Sequence, residues 1–176
     1  KVIALPTTDG RLSLEQIAEC YHSHWNDHSH EHTVQPGMVY LSFPTEVGTI
    51  YSRSELEAIR AVCVKHALPL FIDGARLGYG LCSPECDVTL PQLAQLADVF
   101  YIGGTKVGAL CGEAVVFTHN NTPAHFFTFI KQNGALLAKG RLIGVQFDVL
   151  FTDDLYFELG KNAIDMANAL RRICAE

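Results

Sequence analysis

Apolar positions along this chain recur with two alternating periods. Lys1–Leu5 is a short apolar run that reads as a strand. Ser13-Leu-Glu-Gln16 then has the form of a helix-starting capping box, and Ile17, Ala18 and Tyr21 continue an apolar helical face. Met38–Phe43 reads as a buried strand ended by Pro44. A second capping box, Ser52-Arg-Ser-Glu55, opens a helix lined by Leu56, Ile59, Val62 and Cys63. Leu70-Phe-Ile72 is a strand running into Asp73-Gly74, and a helix near Pro91–Ala97 follows it. Asp98–Ile102 is the next strand, ending in Gly103-Gly-Thr-Lys106, with a further strand over Gly112–Thr118. Thr122-Pro123 predicts a helix start, Asn133-Gly134 its end, and helical patterns fill Leu136–Phe151 and Asp154–Cys174.

Strands alternating with helices at this spacing predict an α/β domain of three layers, α/β/α, around a mostly parallel sheet. The 176 residues, 48% hydrophobic and 18% charged, suffice for one core and exclude a largely disordered chain. A formal net charge of −6 argues against a nucleic-acid partner, which calls for a basic stripe. No apolar run approaches the roughly 18 residues needed to span a bilayer, so no membrane partner is expected. The six cysteines are too sparse for a disulfide scaffold and read as reduced and mostly buried, which favours a cytoplasmic setting.

Two groups invite a metal reading. Cys82 and Cys86 lack a second pair at a partner spacing, so zinc is not favoured there. Five histidines crowd His22–His32, where a hydrated loop between helix and strand is the favoured reading. No metal is expected.

In an open parallel sheet, ligands bind beyond the carboxyl ends of the strands. That rule selects Asp73, after one strand, and Lys106, after the next. Gly103–Gly108 matches neither the dinucleotide fingerprint nor the phosphate-binding P-loop in its residue order. What remains is a lysine on a small-residue turn, a nucleophilic amine when desolvated. An aspartate on the same edge suits a pyridinium nitrogen, so the pair is the minimal equipment for pyridoxal 5′-phosphate. The alternative is a salt bridge at the sheet edge, with the glycines serving only a tight turn.

Thr45-Glu-Val-Gly-Thr49, Phe71-Ile-Asp-Gly-Ala-Arg-Leu77, Asp98–Lys106 and Leu136-Leu-Ala-Lys-Gly-Arg141 together resemble the threonine aldolase family. That family belongs to the aromatic amino acid β-eliminating lyases of fold-type I, and the resemblance runs in order over most of the chain. It implies that Lys106 is the Schiff-base lysine and that Asp73 holds a proton on the pyridine nitrogen. Arg76 would grip the substrate carboxylate, and Arg141 and Thr105 would join the cofactor-binding set. Thr45 and Glu46 would border the ring or serve a turn. The implied activity is retro-aldol cleavage of β-hydroxy-α-amino acids through an external aldimine, L-threonine giving glycine and acetaldehyde. β-Elimination or transamination on the same scaffold, or an inactive relative kept as a binding domain, are the alternatives. The resemblance also implies a homodimer or homotetramer acting on a small amino acid. Family members carry further segments on both sides of these motifs. Residues 1–152 are therefore expected to be the central part of the cofactor-binding large domain, and 153–176 a helix leading toward a small C-terminal domain.

Overall fold

The computed structural model describes residues 1–175. Four strands form one sheet in the order β1 (Val39–Ser42), β2 (Leu70–Gly74), β3 (Val99–Gly103) and β4 (Glu113–Phe117). The first three run parallel, with Leu41 opposite Ile72 and Ile72 opposite Phe100. The fourth is antiparallel, with Tyr101 opposite Val115 and Gly103 opposite Glu113. The α/β architecture with a mostly parallel sheet is therefore as expected.

The helices are α1 (Leu14–Asn26), α2 (Arg53–Lys65), α3 (Leu77–Leu81), α4 (Leu90–Leu96), α5 (Phe126–Gln132), α6 (Arg141–Leu150) and α7 (Leu155–Ala175). Both expected capping boxes form. The Gln16 amide donates to Ser13 Oγ at 3.2 Å, and the Ser52 amide to Glu55 Oε2 at 2.7 Å. A third, unanticipated, opens α4, where the Thr89 amide donates to Gln92 at 2.9 Å. These reciprocal bonds satisfy amides that a first helical turn leaves without partners.

Alternation along the strands decides which face is covered. Leu41, Ile72, Phe100 and Ile102 point into the core, against Leu56, Ile59 and Cys63 of α2, Leu77 of α3 and Leu93 of α4. Tyr40, Phe71, Asp73, Tyr101 and Val115 share the other face, where Tyr40 and Val115 are exposed. Tyr40 stacks on Phe71 at 5.2 Å between ring centroids, and Phe71 meets Tyr101 edge-on at 5.9 Å.

Several local expectations change. Lys1–Leu5 joins no ladder and stays mostly exposed, because an apolar run becomes a strand only through pairing. It lines an apolar cavity of about 630 Å³ with Val34–Tyr40 and Leu68. His22 and His24 belong to α1 rather than a loop, and His24 is buried with Nδ1 3.1 Å from Thr33 Oγ1. Only His30–His32 forms a further turn, of 3-10 type. Helix α5 starts at Phe126, after a left-handed His125, and α6 begins at Arg141 instead of Leu136. The short α3 was not anticipated, since its Leu-Gly-Tyr-Gly-Leu sequence has poor helix propensity. All six cysteines are free, but only Cys63 is fully buried, and Cys111 and Cys174 are exposed. Among the described residues no His, Cys, Asp or Glu side chains gather into a metal-binding group. Among them, too, no helix is long and apolar enough to cross a membrane.

Candidate functional site

Asp73 is the fourth residue of β2, next to Gly74 at the strand's carboxyl end. Its Oδ1 accepts the Ala75 amide at 3.0 Å, and its Oδ2 accepts the Tyr40 hydroxyl from the neighbouring strand. Tyr101, opposite it on β3, brings a second phenol to the same carboxylate. Burial by itself raises the Asp73 carboxyl, but the bonds from Tyr101, Tyr40 and Ala75, with the charge of Lys106, outweigh it. The net effect holds Asp73 below the ordinary carboxylate range, hence ionised. The reciprocal effect raises both tyrosines, burial leading and the Asp73 charge adding to it.

Lys106 is exposed on the connection between β3 and β4. Its carbonyl accepts the Tyr79 hydroxyl from α3. Arg76 follows β2 at the head of α3, and its Nη1 donates to Glu46 Oε1 at 2.8 Å. That pairing raises the guanidinium and lowers the Glu46 carboxyl, with Lys106 lowering Glu46 further. Asp73, Arg76, Glu46 and Lys106 thus form one charged group beyond the carboxyl ends of β1, β2 and β3, within electrostatic reach of one another.

The remaining expected residues are placed as follows. Thr45 is buried in a turn, its Oγ1 2.6 Å from Thr49 Oγ1 and accepting the Thr49 amide at 3.1 Å, which is the turn role. Thr105 is exposed and donates to Glu113 Oε1 at 3.1 Å. Arg141 is exposed at the first turn of α6. That helix packs on the lysine-bearing connection. A Cβ added to Gly104 would lie 2.8 Å from Phe147, and one on Gly112 would lie 2.6 Å from Ile143.

Pyridoxal phosphate can be tested against this donor set. An ionised carboxylate, a primary amine and a guanidinium stand on one sheet edge, beside an aromatic face on which Tyr40 is exposed. Those are the chemistries that hold a pyridinium nitrogen, a covalently bound aldehyde carbon and an amino acid carboxylate. The residues present fit the group. Tyr40, Tyr101, Tyr79 and Glu113 were not anticipated at this site. Each acts across strands or across a helix–turn contact, and the only local signal was aromatic alternation in β1 and β3.

Comparison with known proteins bears on the family and the fold. The family model described as beta-eliminating lyase matches residues 1–175. A low specificity L-threonine aldolase of Pseudomonas aeruginosa is 34% identical over 145 residues, covering 82% of this chain and 41% of that protein. One from Pseudomonas sp. (strain NCIMB 10558) is 33% identical over 147 residues, covering 82% of this chain and 42% of that protein. The solved threonine aldolase of Leishmania major is 46% identical with a TM-score of 0.91, covering 98% of this chain and 49% of that one. A solved Exiguobacterium sp. 255-15 structure, 22% identical with a TM-score of 0.59, shares the fold over 96% of this chain and 45% of its own. The chain thus spans less than half the length of these relatives.

Proposed function

Since the chain belongs to the beta-eliminating lyase family, we propose that it carries the central catalytic elements of a pyridoxal-phosphate-dependent carbon–carbon lyase. The reaction is retro-aldol cleavage of β-hydroxy-α-amino acids, with L-threonine giving glycine and acetaldehyde. The observation that carries this reading is the placement of Asp73 at the carboxyl end of β2 and of Lys106 just after the adjacent parallel strand β3. The names of the two Pseudomonas relatives support the choice of substrate.

Pyridoxal phosphate, when bound, supplies a protonated ring that accepts the electron pair released from the Cα–Cβ bond. The Lys106 amine would be the residue that holds the cofactor covalently. Asp73 holds the proton on the ring nitrogen, a task that needs a carboxylate ionised at working pH. Arg76 grips the substrate carboxylate through its planar fork, displacing Glu46. Arg141 and Thr105 contribute to holding the cofactor.

Residues 1–152 form the central part of the large domain in this reading, and 153–176 lead toward a small domain. The relatives are more than twice as long as the stretch matched here, which leaves room in them for further segments. The six free cysteines support a cytoplasmic setting. Exposed Leu142, Val145 and Val149 on α6 support a homodimer or homotetramer.

The test is an absorbance spectrum of the whole protein with pyridoxal phosphate, followed by borohydride reduction and peptide mapping. A band at about 420 nm, an adduct on Lys106 and glycine release from threonine are expected. No band, or an adduct on another lysine, overturns the enzyme reading. A Lys106 adduct with ammonia release and no glycine moves the reaction to β-elimination.

A further inference from the structure

The backbone leading into Lys106 is held by side chains from three different elements. Gly103, last residue of β3, offers its carbonyl to the Tyr156 hydroxyl of α7 at 3.1 Å. The same oxygen of Tyr156 accepts the Gly78 amide of α3 at 3.0 Å, and the ring is fully buried. The Lys106 carbonyl takes the Tyr79 hydroxyl, also from α3. Between these points, both oxygens of one carboxylate are engaged. Glu113 Oε2 accepts the Gly104 amide at 2.9 Å, and Oε1 accepts the Thr105 hydroxyl at 3.1 Å.

Glu113 is first in β4 and pairs with Gly103 in the antiparallel ladder. The strand pairing therefore sets where its carboxylate sits, directly beside the two residues before Lys106. Among the described residues it takes part in no ion pair, so neither oxygen is drawn elsewhere. Two donors converge on it, and only a carboxylate presents two acceptor oxygens. A glutamine in its place keeps one oxygen for the Gly104 amide and turns an NH₂ donor to the Thr105 hydroxyl, so it removes the charge of the bracket rather than its two contacts.

We infer that Glu113 is a positioning residue for Lys106, fixing the Gly104–Thr105 backbone so that the lysine starts from one defined Cα position. The inference rests on the reading of Lys106 as the covalent anchor. A flexible four-carbon side chain carries a displacement at Cα out to its amine, and a misplacement of about 1 Å is costly in a covalent step. Thr105, with its hydroxyl engaged on Glu113, thus contributes to holding the cofactor through this bracket rather than through a direct hydroxyl contact.

The experiment compares Glu113→Gln, Glu113→Ala and Thr105→Val with the unaltered whole protein. The first readout needs no cofactor. Amide hydrogen exchange over the Gly103–Lys106 peptide is expected to speed up by about tenfold in Glu113→Ala, as expected for loss of a charge-assisted bond. Peptides from α2 and β2 should exchange unchanged. The second readout titrates pyridoxal phosphate against the band at about 420 nm. The concentration for half occupancy is expected to rise about tenfold in Glu113→Ala and less in Glu113→Gln. Thr105→Ser, which keeps the hydroxyl, should restore what Thr105→Val loses.

Unchanged exchange with unchanged titration overturns the inference. So does a weakened titration that tracks a general loss of exchange protection throughout the sheet. If Glu113→Ala does not fold, Glu113→Gln, which removes the charge, and Thr105→Val, which removes the Oε1 bond, decide by the same readouts. If the unaltered protein gives no band at all, the enzyme reading fails, and the exchange measurement still decides whether Glu113 orders the turn.

Discussion

Arg76 spans from the end of β2 to the turn after β1, where its Nη1 lies 2.8 Å from Oε1 of Glu46. The Glu46 side chain is 69% exposed and that of Arg76 32%, so water screens the pair and another carboxylate can compete for the guanidinium. Glu46→Gln is therefore expected to lower KM for the amino acid by about two- to fivefold with kcat little altered. Arg76→Lys should raise KM by about tenfold, because an ammonium lacks the bidentate fork. Steady-state kinetics on threonine check both.

Asp73 is kept ionised by Tyr101, Tyr40 and the Ala75 amide against the cost of burial. Asp73→Asn removes the charge while keeping the shape, and should lower kcat by about a hundredfold or more. The adduct on Lys106 should still form, which separates loss of ring protonation from loss of the anchor. Retained activity in this variant would remove Asp73 from the mechanism.

Asp98 offers a pH dependence of stability. Burial raises its carboxyl, but Arg60, the Leu70 amide and the His119 charge outweigh that and hold it below its ordinary 3.8. A carboxylate with a lowered folded value contributes stability above the unfolded value and loses it as pH falls through the folded one. Unfolding in urea should show Asp98→Asn weaker by about 2 kcal/mol at pH 7, the difference shrinking below about pH 4. A difference that stays constant down to pH 3 would contradict this account.

Gly103 runs so close to the Ala75 backbone that an added Cβ would overlap its carbonyl group. Gly103→Ala should cost at least about 2 kcal/mol in urea unfolding, because the obstacle is backbone rather than a movable side chain. Gly144→Ala, where a Cβ meets open space in the middle of α6, should be neutral or slightly stabilising.

Burial pushes the Cys63 thiol up to about 11, whereas Cys111 and Cys174 are exposed. An alkylating reagent at pH 7.5 should modify Cys111 and Cys174 within minutes and leave Cys63 unmodified until the protein unfolds. Peptide mass mapping reads this directly.

Local rules account well for helix starts in this chain. Ser13–Gln16 and Ser52–Glu55 form the bonds their spacing predicts, because a capping box closes within four residues. They fail where tertiary contacts take over. Lys1–Leu5 has strand composition without a pairing partner in the sheet, and α3 forms despite two glycines. The reason at α3 is close approach. A Cβ on Gly78 would press on Tyr156 and Val107, and one on Gly80 on Pro44. The extension of α1 through His24 has the same origin, since the buried imidazole finds Thr33 only after the chain has turned back.

The sequence by itself determined the α/β class and the segments that become β1, β2 and β3, and it singled out Asp73 and Lys106 as candidates at the strand ends. These follow from periodicity and from residue types that ionise or attack, both properties of short stretches of chain. Tertiary structure alone decided that β4 runs antiparallel, that Tyr40 and Tyr101 meet at Asp73, and that Glu113 lies beside the residues preceding Lys106. Those relationships depend on ladder register between distant segments, and register is set by how whole strands bury one face.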